Sequence, residues 1–336
     1  MLQQPPSPNR SAAGISAWVV SEGTVGMEIQ SVGLARAIGI EPVVKRVRPR
    51  LPWRLLPARA WAFPFLSIGP DSDPLEPPWP DLVIGTGRVA AALSAAIRMA
   101  SRGRTFTVQM QNPHLPPDRF DLIVVPEHDG YVAPNVVQTL GSMHRVTEER
   151  LTDGRATWAP RFAHLRRPLV VANVGGSNRR YRLDAEAAAQ LGRQLAPLTA
   201  GYGLAVVPSR RTGKENEAAL ARALAGTDAY IWDGVSENPY IGLLSLADAI
   251  VVTPDSTNMA TEALATGKPV HVVDLPGNPG KFGVFHDILR QRGYTRPFRG
   301  QIESWSYDPP DDTDRVAAIV RARIAERLPP AHAGRM

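Results

Sequence analysis

The chain has 336 residues, 43% of them hydrophobic, which is enough for two α/β domains of ordinary size. It has no cysteine, which excludes disulfides, thiolate metal sites and cysteine nucleophiles and fits a reducing cytoplasm; it also lacks the tract of about eighteen apolar residues that a membrane span requires. The net charge is +6, yet only four of the 38 basic residues are lysine, a bias that, with abundant Ala and Pro, reflects genome base composition rather than a nucleic-acid site and still favours anionic partners.

Residues 1–14 are proline-rich and polar, without the apolar core of a secretory signal, and read as a disordered tail. From there apolar runs alternate with helical patterns, as parallel βα units require. Strands are predicted over 15–21, 42–47, 82–85, 106–110 and 122–125, with helices over 27–38 and 89–100. The second half repeats the theme with strands over 169–173, 203–207, 229–232, 249–253 and 270–273 and helices over 241–247 and 257–266. The boundary is expected within 153–167, a polar and basic stretch ended by Pro168. That gives a first domain over 15–160, a second over 168–305, and a terminal helix over 311–328.

One stretch breaks the pattern. From Lys45 to Leu66, five arginines (Arg46, Arg48, Arg50, Arg54, Arg59) are interleaved with Trp53, Trp61, Phe63 and Phe65, and four prolines prevent a long helix. Arginine beside tryptophan suits an anionic membrane interface. A loop whose aromatics fold inward while its arginines stay wet gives the same pattern.

Several loops carry groups suited to a nucleotide. Gly175, Gly176 and Ser177 follow a strand, where glycines let the backbone approach a pyrophosphate and the hydroxyl adds a donor. About 80 residues on, Asp255, Ser256 and Thr257 open a helix whose free N–H groups and dipole suit a phosphate. Either Asp255 or Ser256 can serve as its N-cap. Glu262, a turn and a half inside, can accept from ribose hydroxyls. Arg210, Arg211 and Lys214 can neutralise a diphosphate, and Asn238 can read a base edge. Each also has an ordinary role as a solvated basic loop, a cap or a turn former. In the first half, Glu127, His128 and Asp129 end a strand. Of these, His128 or Asp129 can take the proton of an acceptor hydroxyl, with His114 and Glu22 as weaker candidates. No metal-ligand spacing, GxSxG elbow or complete GxGxxG is present.

The loop, helix, Glu262 and Gly267-Lys268-Pro269 sequence resembles the nucleotide-sugar site of two-domain GT-B glycosyltransferases. A longer set of motifs points to one family. It comprises EGxxGxxxQ from Glu22, QxQNPH from Gln109, FDLIVVPEHD from Phe120, GGSN from Gly175, WDG from Trp232 and ENPY from Glu237. The set continues with ADAIVVTPDSTNMATEALATGKPV from Ala247 and KFxxFHxxL from Lys281. This ordered set resembles a bacterial member of the elongated-mitochondria-type mitochondrial fission family over about residues 20–300. The first loop departs from that pattern, with Glu22 for the usual aspartate and Thr24-Val25 for the commoner Lys-Pro.

The resemblance implies two Rossmann-like domains with parallel sheets facing a cleft. The nucleotide side falls on Asp255, Ser256, Glu262 and the 175–177 loop, and the acceptor side on Glu127, His128 and Asp129. Plant members are associated with recruiting a dynamin-related protein to mitochondria, a role that does not carry over to a bacterial cell. The expected activity is transfer of a sugar from a nucleotide-diphosphate donor, without metal or further cofactor, at the cytoplasmic membrane face. The alternatives are a nucleotide-sugar epimerase and a non-catalytic membrane adaptor. No nucleic-acid partner is expected, and a protein partner is not identified by the sequence.

Overall fold

The computed structural model describes residues 14–327, so the tail expected over 1–14 lies, but for Gly14, outside the described residues. The chain divides into two compact units. One runs to Arg145 and resumes at Asp311; the other is Val146–Pro310.

The first unit is built on β1 (Ala17–Ser21), α1 (Val25–Ile38), β2 (Val43–Arg46), β3 (Leu82–Thr86), α2 (Gly87–Ala100), β4 (Phe106–Met110), β5 (Leu122–Pro126) and β6 (Val136–Thr139). All six strands pair in parallel, in the order β2-β1-β3-β4-β5-β6. β1, β3 and β4 are buried along their whole length, as strands covered by helices on both faces must be. Alternate residues serve opposite faces. Val19, Ile84 and Val108 pack toward α1, while Trp18, Val20 and Val83 pack toward α2. The terminal helix, Asp312–Arg327, belongs to this unit: Val316, Ala317, Val320 and Ile324 recur at helical spacing and join Leu34, Ala35 and Ile38 in one core. Its start is fastened by Asp312, whose carboxylate accepts from Leu140 N–H at 2.6 Å and Gly141 N–H at 3.3 Å.

The second unit comprises α3 (Glu148–Trp158), β7 (Leu169–Val174), α4 (Ala185–Leu195), β8 (Gly203–Pro208), α5 (Lys214–Ala223), β9 (Tyr230–Ile231), α6 (Tyr240–Leu246), β10 (Ala249–Val252), α7 (Thr257–Leu264), β11 (Val270–Val272), α8 (Lys281–Gln291) and β12 (Thr295–Pro297). Its six strands are also parallel, in the order β12-β11-β10-β7-β8-β9. Val170, Ala172 and Val174 of β7 meet the apolar stripe of α4 (Ala188, Leu191, Leu195). The unit begins ahead of the boundary expected within 153–167, because the first half of that stretch is helical. Thr147 caps α3, accepting from Arg150 N–H at 3.3 Å, and Trp158 packs where a side chain on Gly242 of α6 would fall.

Lys45 and Arg46 end β2, and the rest of the stretch to Leu66 carries three short 3-10 turns, Trp53–Leu55, Ala58–Ala60 and Pro64–Ser67. Its indoles do not face outward as a membrane-facing reading of the tryptophans requires. Trp61 is buried and donates from Nε1 to the Leu56 carbonyl at 3.2 Å; half-buried Trp53 donates to the Ala62 carbonyl at 3.1 Å. A buried indole N–H usually takes such an acceptor, and these turns supply one for each ring.

Candidate functional site

In the second unit the strand order reverses between β7 and β10: β8 and β9 lie to one side, β11 and β12 to the other. At such a point the connections leave toward opposite faces and open a crevice at the carboxyl ends of the strands. Asn173 of β7 stands in register with Val252 of β10, so the 175–177 loop and the 253–256 loop emerge side by side.

The two loops are clasped together through Asp255. Its side chain is fully buried, and its carboxylate accepts from Gly176 N–H at 3.0 Å and the Thr253 hydroxyl at 2.6 Å, and pairs with Arg211 at 2.7 Å. Thr253 Oγ1 in turn accepts from Gly175 N–H at 2.7 Å, and Asn178 Nδ2 donates to the Asp255 carbonyl at 3.0 Å. A Cβ on Gly175 would fall on the Asp255 carboxylate, and one on Gly176 on the Arg211 carbonyl. The glycines are therefore required by loop-on-loop packing, independently of any phosphate.

Two of the expected nucleotide-side groups have partners within the protein. Asp255 spends its side chain on the clasp and is not the helix cap. Ser177 turns its hydroxyl into its own loop, donating to the Leu183 carbonyl at 3.1 Å and accepting from Leu183 N–H at 2.9 Å.

The cap of α7 is Ser256, whose Oγ accepts from Met259 N–H at 3.3 Å, and Thr257 is the first helical residue. The positive end of α7 thus opens at the switch point, where an anion is favoured. Glu262 lies further along the same helix, half-buried, and accepts from the Tyr240 hydroxyl at 2.7 Å. Desolvation of the Tyr240 phenol, and then the Glu262 charge, push its pKa well above the usual tyrosine value, so the phenol remains a donor. A carboxylate accepts several hydrogen bonds at once, so this bond orients Glu262 without precluding a diol. A cavity of about 210 Å³ opens beside Pro254, lined in part by Tyr181, Asp274, His286 and Arg290.

The other nucleotide-side candidates flank the switch point. Arg210 and Lys214 stand exposed after β8; Lys214 opens α5 and pairs with Glu217 at 2.8 Å. Asn238 is exposed, and its Oδ1 accepts from Tyr240 N–H at 2.9 Å, which starts α6. Sequence reasoning did not single out Asn173, which is 1% exposed at the end of β7 with neither amide atom partnered among the described residues. Nor did it find Thr253, whose role comes from register across the sheet, or Tyr240, whose role comes from α6 meeting α7.

In the first unit the order reverses between β1 and β3. Gly87 there has φ 86°, a left-handed conformation natural to glycine, and Met27 Sδ would lie 2.9 Å from a Cβ at this position. Glu22 is exposed. Glu28 is paired with Arg46 at 2.7 Å, a bond that holds its pKa below the usual range. Glu127, His128 and Asp129 form one half-buried 3-10 turn after β5, closed by Gly130 at φ 62°, two strands from the switch point. The loop after β4 holds Gln111 (φ 66°) and exposed His114 (φ 52°) in the left-handed region, a strain that side chains adopt sparingly and that gathers at functional loops. Among the described residues no three His, Asp or Glu side chains gather closely enough to hold a metal ion.

Two six-stranded parallel sheets wrapped by helices, each with a switch point, define an α/β protein of the GT-B type. Solved structures of this fold agree. The UDP-GlcNAc 2-epimerase of Methanocaldococcus jannaschii superposes with a TM-score of 0.52 at 9% identity, covering 91% of this chain and 99% of that one. The spinosyn forosaminyltransferase SpnP gives 0.51 at 14% identity over 94% and 96%. The Neisseria meningitidis UDP-GlcNAc 2-epimerase bound to UDP-GlcNAc gives 0.50 at 12% identity over 91% and 99%. At these identities the likeness concerns the fold.

The chain belongs to the mitochondrial fission ELM1 family, whose profile matches residues 25–324. Mitochondrial fission protein ELM1 of Arabidopsis thaliana is 34% identical over 276 residues, spanning 74% of this chain and 65% of the plant protein. An uncharacterized Rickettsia prowazekii protein is 24% identical over 287 residues, 72% of this chain and 79% of that protein. No helix among the described residues is long and apolar enough to cross a membrane.

Proposed function

We propose that the second unit binds a nucleotide-diphosphate sugar at the β7/β10 switch point and that the protein transfers the sugar to an acceptor. The observation that carries this reading is the opening of α7 beside two mutually clasped loops, with Glu262 of α7 oriented by Tyr240 of α6. In this reading the diphosphate lies against the Ser256–Thr257 end of α7, beside the backbone of the 175–177 loop. The dipole and Arg210, Arg211 and Lys214 offset its charge. Glu262 receives the ribose hydroxyls, and Asn238 lies on the base side.

Transfer with a developing negative charge on the leaving diphosphate is assisted by fixed dipoles and cations aimed at it. The acceptor hydroxyl loses a proton as it attacks, and Asp129 and His128 have the chemistry of the base that takes it. A second reading, a non-catalytic adaptor, has family membership in its favour.

Incubation of a panel of UDP-, GDP-, CDP- and ADP-sugars with a lipid extract as the source of acceptor hydroxyls, followed by nuclear magnetic resonance of the products, tests the proposal. Release of one nucleoside diphosphate, lost in Glu262→Ala, is the expected result. Inversion of a sugar centre without release makes the protein an epimerase, and no turnover of any donor with a folded protein favours the adaptor.

A further inference from the structure

Four large apolar side chains left in water lie within one stretch: Leu51, Leu55, Phe63 and Leu66, with Leu55 78% and Phe63 75% exposed. Hydrogen bonds gather them. Arg50 N–H donates to the Ser67 carbonyl at 2.8 Å and Arg50 Nε to the Leu66 carbonyl at 2.6 Å, which sets Leu51 beside Leu66. The Trp53–Ala62 bond brings Phe63 beside the turn that carries Leu55. The stretch is held to its unit by the buried Ala58 and Trp61 and by Arg88, which donates to the carbonyls of Leu56 and Arg54. The outward apolar tips are therefore displayed by a fixed scaffold.

Phe63 adopts φ 54° and ψ 64°, a left-handed conformation that a bulky residue avoids, yet its ring gains little packing in return. Around these tips Arg48, Arg50, Arg54 and Arg59 are exposed, and residues 42–70 contain no Asp or Glu. Apolar groups interleaved with guanidinium groups suit a surface that is anionic outside and apolar beneath. A second copy of the same patch would set arginine against arginine.

We propose that this face docks on an anionic phospholipid bilayer. Leu51, Leu55, Phe63 and Leu66 enter the boundary between headgroups and acyl chains, and the arginines meet lipid phosphates. The stretch follows β2, so it leaves the same edge of the parallel sheet as the 22–26 and 127–129 loops. The proposal does not depend on the nucleotide reading.

The test is co-sedimentation of the full chain with vesicles of equal parts phosphatidylglycerol and phosphatidylcholine, and with pure phosphatidylcholine. Binding to the anionic vesicles alone, weakened by salt, is expected. Leu55→Glu/Phe63→Glu and Arg54→Glu/Arg59→Glu should each lower it by roughly tenfold or more. Phe63→Gly should also weaken binding while leaving the melting temperature unchanged or higher, since glycine adopts this backbone conformation freely. Wild-type binding by all three variants overturns the proposal. So does indifference to anionic vesicles combined with a concentration-dependent dimer that Phe63→Gly disperses, which would make the face a contact between copies.

Discussion

Asp255 occupies the space that a side chain on residue 175 would need: a Cβ on Gly175 would fall on its carboxylate oxygens. The aspartate and the glycine lie in loops about 80 residues apart, and each position restricts the other. Gly175→Ala should therefore cost about 3 kcal/mol, the upper end of overpacking penalties, because the carboxylate is held by three partners and cannot step aside. Denaturant unfolding measures it. A loss under about 0.5 kcal/mol, the range of neutral surface changes, would show that the clasp is soft.

Tyr240→Phe removes one hydrogen bond to Glu262 and little volume. Stability should fall by about 1 kcal/mol. Nucleotide affinity should fall by roughly tenfold if Glu262 needs that bond to face a ribose, since a tenfold change corresponds to about 1.4 kcal/mol. Calorimetric titration of both proteins separates the two effects.

His271 of β11 is fully buried, with Nε2 accepting from Glu303 N–H at 3.1 Å. Burial, the largest cause, pushes its pKa below the ordinary value. A depressed folded pKa means that the unfolded chain takes up the proton first as pH falls. The stability contribution is thus intact above the unfolded pKa of about 6.5 and is lost as pH drops toward the folded value. The midpoint of unfolding should decline from pH 7 to pH 5. His271→Gln, which keeps an acceptor but no titratable ring, should flatten the decline; an unchanged slope would assign it to other groups.

Much of the fold was legible because buried parallel strands read as plain apolar runs: the expected 106–110 coincides with β4, and most others agree within two residues. Some of the missed elements have weak signals for physical reasons. β6 and β12 are short edge strands, Val136–Thr139 and Thr295–Pro297, and α3 has no buried residue to set a period; α4, α5 and α8 received no expected range, although α4 carries a regular apolar stripe. Site residues were legible as loops at strand ends, not as contacts. Nothing local distinguishes an aspartate that meets a ligand from Asp255, whose partners Gly176 and Arg211 arrive in the loops after β7 and β8. Likewise Trp53 and Trp61 stand out by composition, while the outward side chains are Leu55 and Phe63.

Titration of the purified chain with UDP, GDP, CDP and ADP in a calorimeter shows whether the α7 end of the second unit is a nucleotide-diphosphate site. One nucleotide should bind saturably, and Glu262→Ala should weaken it by roughly tenfold or more, the loss of hydrogen bonds to a charged acceptor. Saturable binding that Glu262→Ala leaves unchanged, or no binding of any nucleotide by the folded protein, would contradict the account.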